Sequence, residues 1–220
     1  HRPGGLLMSI LLATVAVALG FVMAVVLGSA HESRQRPLRQ VANATIQIFR
    51  GIPLILLLLI VHQFLGIGRR MGLQLTPLVS ALVALILYSG AYQAEIVRAG
   101  LQAVPEPLVD SARLLGSSRR QVYRLIKLRY ALFVMLPAFT GQAISLFKDT
   151  SVVLILGVAE LMTVARFVLG SDVGNTPYWV SLFLLVGFFY WLVAFVLSTL
   201  AQRMERGRTA IDLVHSQVNY

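Results

Sequence analysis

Five stretches of this chain are long, apolar and almost free of charge, and a water-soluble fold has no room for all of them. Pro3–Ala30 holds no Asp, Glu, Lys, Arg or His. A helix needs about 20 apolar residues to cross a bilayer, so this stretch predicts a first span over about 5–28. Val41–Gly68 predicts a second over about 43–66, with Arg50 near its start. Met71–Ala94 is uncharged and predicts a third over about 75–97. Tyr130–Phe147 predicts a fourth over about 130–147. Val173–Gln202, uncharged and beginning near Pro177, predicts a fifth over about 177–201. Its Trp179, Tyr190 and Trp191 suit the membrane–water interface.

Val152–Leu169 is apolar too, but Glu160 and Arg166 interrupt it. Charge inside a spanning helix is costly unless it is paired or faces a cavity. This piece reads as a short buried or re-entrant helix that does not cross by itself.

The charges test that count. Arg34, Arg36 and Arg39 lie between spans one and two. Arg98, Arg113, Arg119, Arg120, Arg124, Lys127 and Arg129 lie between spans three and four, and Arg203, Arg206 and Arg208 follow span five. Five spans place these thirteen cations on one side, and leave Arg2, Arg69, Arg70, Lys148 and Arg166 on the other. The positive-inside rule then predicts an outside N-terminus and a cytoplasmic C-terminus. With 57% hydrophobic residues and 13% charged, the whole chain, 1–220, is expected to be one all-α transmembrane domain. The net charge of +10 is therefore topological and does not signal nucleic acid. Cysteine is absent, which excludes disulfides and thiolate chemistry. The chain starts at His1 rather than Met, so residues upstream are expected.

The cytoplasmic loop, about 98–129, is ordered in its chemistry. Pro105-Glu106-Pro107 suits a helix start, since proline fits the first turn and Glu106 complements the amino-terminal dipole. The helix is expected to run through Leu108, Val109, Ala112, Leu114 and Leu115 and to stop at Gly116. Ser118 and Gln121 form a capping-box pattern that opens a second, basic amphipathic helix with Arg119, Arg120, Arg124 and Lys127. A basic helix of this kind can simply lie on anionic lipid, and a helix–elbow–helix can be a mere connector.

Asp110-Ser111-Ala112, three residues, then Gly116 resembles the coupling-loop motif of permease subunits in bacterial ATP-binding-cassette importers. That motif reads Glu-Ala-Ala, three residues, Gly, then a hydrophobic residue and Leu-Pro. Here Asp110 stands for Glu, Ser111 for the first Ala, and Leu128-Arg129 lacks the proline. Phe49-Arg50-Gly51-Ile52-Pro53, Ser89-Gly90-Ala91-Tyr92-Gln93-Ala94-Glu95-Ile96-Val97-Arg98-Ala99-Gly100 and Gln102-Ala103-Val104-Pro105 resemble the polar-amino-acid branch of these permeases. So do Gly141-Gln142 and Ser145-Leu146-Phe147-Lys148-Asp149-Thr150-Ser151. The resemblance covers about residues 5–202 and implies the type I importer permease fold. It implies a multi-pass subunit of the bacterial cytoplasmic (inner) membrane that moves a polar or charged amino acid. It also implies its partners: a dimer of ATP-binding-cassette ATPases that binds the ATP and Mg, a second permease subunit, and an external amino-acid-binding protein. No cofactor or metal is expected in this chain itself, and membrane lipid is its surroundings. The resemblance assigns Asp110, Ala112 and Gly116 to motif positions, with Ser111, Arg113 and Leu115 beside them. Apolar Leu108, Ala112 and Leu115 are expected to bury against the ATPase, and Asp110 and Arg113 to orient the contact.

Ionisable groups at membrane depth are the candidates for a transport path: Arg50, Glu95, Lys148, Asp149, Glu160 and Arg166. Lys148-Asp149-Thr150-Ser151 joins both charges to two hydroxyls, which suits a zwitterion. The alternative for Asp149 is a cap on the following helix, and for Lys148 a snorkel to the interface. Glu95 and Arg98 have the i, i+3 spacing of a structural ion pair. His62, inside span two, suits a hydrogen bond between helices. An ion-driven secondary transporter would need carboxylate relays, and such folds commonly carry inverted repeats; no repeat is evident. A membrane enzyme would need a signature such as His-Glu-x-x-His or Gly-x-Ser-x-Gly, which this chain lacks. A Gly-x-x-x-x-Gly-Lys-Ser/Thr nucleotide loop is also missing, so ATP must act through a partner.

Overall fold

The computed structural model describes residues 4–33, 35–70, 72 and 76–217. Arg2, Arg34 and Met71 lie outside the described residues, as do the side chains of Arg69, Arg70, Arg206 and Arg208.

The chain is a succession of helices: α1 (Leu6–His31), α2 (Arg36–Gly51), α3 (Leu54–Arg70), α4 (Pro77–Gln102) and α5 (Glu106–Leu114). A single turn α6 (Arg119–Gln121), a π-helical segment (Val122–Lys127) and α7 (Leu128–Asp149) follow without a break. A 3-10 segment (Thr150–Leu156), α8 (Leu161–Gly170), a second 3-10 segment (Val173–Tyr178) and α9 (Trp179–Gln217) complete it. Among the described residues four helical runs are long and apolar enough to cross a membrane, or five if the bent α2–α3 pair counts as one.

The centre is the α1–α4 pair. Ala16, Gly20, Ala24 and Gly28 recur every four residues along α1 and are all buried. They face Ser89, Gly90, Ala94 and Val97 of α4, which are buried as well. In lipid no hydrophobic force draws two apolar helices together, so small residues that let backbones approach supply the attraction through close packing. The fit at Gly28 leaves no slack: a methyl group there would lie 2.7 Å from Val97 Cγ1. Further toward the α1 N-terminus, Leu12, Leu57, Leu58, Leu85, Leu146 and Val153 form a larger aliphatic cluster joining α1, α3, α4 and α7. The His62 Nδ1 and the buried Ser80 Oγ lie 3.2 Å apart, the interhelical hydrogen bond expected of that histidine.

Two departures from the expected spans have local causes. The second stretch is not one helix over 43–66. It is two helices meeting at 109°. Pro53 disfavours helical geometry at the residue before it, and Ile52 accordingly sits in an extended conformation at φ −87° and ψ 126°. Only Ala42 and Ile46 of α2 are buried, so α2 is amphipathic where α3 is apolar. The fourth stretch is longer than 130–147: the basic segment expected as a separate helix is the first part of the same rod, which runs from Arg119 to Leu156. The missing proline at Arg129 is consistent with this, because nothing there interrupts the helical hydrogen bonds.

The Val152–Leu169 region does hold a short apolar helix, α8, of ten residues. At 1.5 Å per residue that is about 15 Å, half of a bilayer core.

Candidate functional site

The elbow is built by local signals. Helix α5 starts after Pro105, with Pro107 in its first turn and Glu106 at its amino end. It stops at Gly116, whose φ of +84° lies in the left-handed region that glycine adopts freely. The Gly116 amide donates to Arg113 O at 2.9 Å and the Ser117 amide to Ala112 O at 3.1 Å, a Schellman cap. Ser118 then opens α6 with the full capping box: Gln121 N donates to Ser118 Oγ, and Ser118 N to Gln121 Oε1.

The two faces of α5 differ. Val109 and Ala112 are buried with Val104 and Val122, with Ile126 and Tyr130 packed around them. Ala112 was expected to bury against a partner; it is already used inside the chain, holding α5 to the π segment. The outward face carries Leu108, Leu114 and Leu115, the last two 89% and 87% exposed. Leu114, not singled out among the coupling residues, is thus an equal member of the exposed apolar tip. Asp110 and Arg113 pair with each other, Nη1 to Oδ1 at 3.2 Å, and Ser111 Oγ donates to Pro107 O at 2.8 Å.

A second constellation lies where α2, α4 and α7 meet, around a cleft of about 470 Å³. Its polar members are Arg50, Tyr92, Glu95 and Gln142; the rest of its wall, including Ala99, Met135 and Ala138, is apolar. Glu95 stands between two guanidiniums. Arg98 donates to its Oε1 from Nε at 3.1 Å and from Nη2, as the i, i+3 spacing predicts, and Arg50 Nη1 approaches its Oε2 at 3.3 Å. Arg50 also lies over the Tyr92 ring at 5.3 Å, and the Tyr92 hydroxyl donates to Arg50 O at 3.4 Å. Arg50 reaches this position because the bend at Ile52-Pro53 brings the end of α2 against α4. The chain of polar contacts continues outward: Arg98 Nη1 donates to Gln102 Oε1 at 3.1 Å, and Gln102 Nε2 to Glu32 Oε1 at 3.0 Å.

The remaining candidates sit elsewhere. Asp149 does not cap a new helix. Its backbone is helical, the chain passes straight from α7 into the 3-10 turn, and its side chain makes no cap bond. Thr150 and Ser151 each donate their hydroxyl to a carbonyl of the preceding turn, Phe147 O at 2.7 Å and Lys148 O at 2.8 Å. Lys148 is exposed. None of the four lines the α2–α4–α7 cleft.

Glu160 is fully buried and is itself the cap, of α8. It accepts from Met162 N at 2.8 Å, Thr163 N at 2.5 Å, Thr163 Oγ1 at 2.8 Å and the Tyr190 hydroxyl at 3.0 Å. The start of α1 is latched to the same place, Gly5 N donating to Ala159 O and Leu161 N to Ser9 Oγ. Glu160, expected as a transport-path candidate, is thus engaged in the cap of α8 and does not line the α2–α4–α7 cleft. Among the described residues no group of His, Cys, Asp or Glu is arranged to hold a metal ion.

Comparison with known proteins places these features. The family described as the binding-protein-dependent transport system inner membrane component matches residues 8–209. The chain belongs to this family. This permease is 32% identical over 211 residues to the glutamate/aspartate import permease protein GltK of Escherichia coli, covering 94% of this chain and 92% of that one. It is 29% identical over 205 residues to a probable glutamine ABC transporter permease of Bacillus subtilis, covering 93% and 92%. With the inner membrane amino-acid ABC transporter permease protein YhdY of Escherichia coli it shares 30% identity over 214 residues. There it covers 94% of its own length but only 57% of the relative's. A crystal structure of an amino acid ABC transporter with histidines superposes with a TM-score of 0.81 at 28% identity, covering 92% of this chain and 91% of that one. An inward-facing methionine ABC transporter, 22% identical, shares the fold at a TM-score of 0.72, covering 90% and 94%. The permease is thus an all-α component of an inner-membrane transport system.

Proposed function

We propose that this permease carries a polar or charged amino acid inward, powered by separate ATPase subunits that bind ATP and Mg. In this reading it pairs with a second permease subunit, the same or homologous. An external binding protein delivers the amino acid on the side of the N-terminus, and the C-terminus is cytoplasmic. Named relatives that transport glutamate and aspartate or glutamine support the cargo class.

The α2–α4–α7 cleft carries the reading. Glu95 flanked by Arg50, beside the Tyr92 phenol and the Gln142 amide, offers both charge signs and neutral hydrogen-bonding groups within one mostly apolar wall. A zwitterion needs that combination: a cation for its carboxylate, an anion for its ammonium, and an apolar wall that excludes water around both.

At the cytoplasmic end, Leu108, Leu114 and Leu115 form an exposed apolar tip flanked by the Asp110–Arg113 pair. Such a tip fits a groove on the ATPase and conveys its closure as a rigid-body push. Asp110, Ser111, Ala112, Arg113, Leu115 and Gly116 then act as one unit, Ala112 and Gly116 shaping it and the others presenting it.

The test is uptake by vesicles holding the permease with its ATPase and binding protein. Amino-acid uptake that needs ATP and the binding protein is the expected result. Uptake driven by an ion gradient without ATP would refute it.

A further inference from the structure

We propose that the hydrogen bond between Tyr123 and Ser29 is the joint through which movement of the elbow reaches the transport cleft, which makes Tyr123 a positioning residue for coupling. This rests on the transport reading above.

The elbow and the π segment move as one piece. Val109 and Ala112 of α5 are buried directly against Val122, so a push on the exposed tip of α5 displaces the π segment with it. Tyr123 is the next residue. It is part-buried against the α1–α4–α7 cluster that contains Ala24, Val97, Ala131 and Met135, and its hydroxyl meets Ser29 Oγ near the end of α1. The single Ser29 proton goes to Val25 O, so the Tyr123 hydroxyl is the donor and Ser29 the acceptor. The Tyr123 carbonyl accepts from Leu128 N, five residues on, in place of the usual four. A π turn within an otherwise α-helical rod is rare and often marks a functional site.

From Ser29 the backbone of α1 carries the path on to Glu32, and from there it is polar. Glu32 lies one turn further along the chain, at the C-cap of α1. It accepts from Gln102 at 3.0 Å, Gln102 accepts from Arg98 at 3.1 Å, and Arg98 holds Glu95, which holds Arg50 at the cleft wall. Three helices that converge on the cytoplasmic end of the cleft are thereby tied in sequence: α1, α4 and α2. Without the Tyr123 contact, the only polar tie in this series between the π segment and α1 is lost, while the covalent route through α7 remains. The bond accordingly sets how much cleft movement accompanies each movement of the elbow. It does not determine whether the elbow docks.

Tyr123→Phe removes only the hydroxyl and keeps the ring in its apolar seat. In vesicles holding the complete complex, the expected result is a fall of about three- to tenfold in amino acid moved per ATP hydrolysed, the range one lost hydrogen bond commands. Assembly with the ATPase stays unchanged. Ser29→Ala gives a fall of the same size, Ser29→Thr restores coupling, and Ser29→Ala with Tyr123→Phe falls no further than either alone, the non-additivity of one shared contact. A wild-type transport-to-hydrolysis ratio in Tyr123→Phe overturns the proposal. So does a loss of assembled complex with the ratio unchanged, since that marks a purely structural contact. Absence of ATP-driven uptake of any polar amino acid by the unmodified complex would instead refute the underlying transport reading.

Discussion

Substitution of Gly116 separates two causes that a single variant would mix. At this position φ is +84°, and an added Cβ would meet nothing within 4 Å in this chain. Within the permease the cost of a side chain is therefore conformational and not steric. For an L-residue in the left-handed region it is about 1–2 kcal/mol, which shifts an equilibrium by a factor of about 5–30. Asn, which tolerates this region, costs less; Val, β-branched, costs more. If the elbow's backbone is what matters, coupling falls in the order Gly116, Gly116→Asn, Gly116→Ala, Gly116→Val. The assay is ATP hydrolysis and amino-acid uptake in the same vesicles, with ATPase retention measured on the purified complex. A ranking by side-chain size or polarity, with Gly116→Asn below Gly116→Ala, would refute the backbone argument and point to contact with the ATPase groove. Gly116→Asp adds a charge at the exposed tip and is expected to uncouple hydrolysis from uptake while the complex still assembles; unimpaired uptake stimulated by the binding protein contradicts that.

Three further outcomes are expected. Glu160→Ala strands the α8 amides and the Tyr190 hydroxyl, at a cost of about 2–4 kcal/mol; a melting curve in detergent that matches the parent would remove Glu160 from the frame of the fold. Gly28→Ala drives a methyl against Val97 Cγ1 and Cβ, at 2.7 and 2.8 Å, and should destabilise by about 1–3 kcal/mol; an unchanged melting temperature would mean the α1–α4 contact is looser than described. Glu95→Gln leaves Arg50 and Arg98 without their shared carboxylate; these groups are part-exposed, so stability should change by less than about 1 kcal/mol while uptake is lost, and undiminished uptake would exclude Glu95 from the path.

Much of the elbow was legible because its causes are local. Ser118 with Gln121, Pro107 in the first turn and Gly116 at the stop each act within one helical turn, and each is found in that role. The Glu95–Arg98 pair was legible for the same reason. The bend at Ile52-Pro53 was missed: the apolar run continues through it and reads as one span, although Pro53 is its local cause. Asp149 failed as a cap because the rule assumes that a helix starts there, and α7 does not stop. The burial of Ala112, the pairing of Arg50 with Glu95 and the meeting of Tyr123 with Ser29 had no local signature, since each depends on which helix lies alongside.

By itself the sequence determined the solvent and the sections of rod. Long uncharged stretches must go into lipid, and prolines, glycines and capping residues mark where those rods start, stop or bend. Only the tertiary structure decided which polar groups meet. A charge at membrane depth must find a partner or a cavity, and the sequence lists the candidates without pairing them. Packing of small residues along α1 and α4 sets how closely the helices approach. Helix packing placed Glu95 between two arginines, the Tyr190 hydroxyl on Glu160, and Tyr123 against the end of α1.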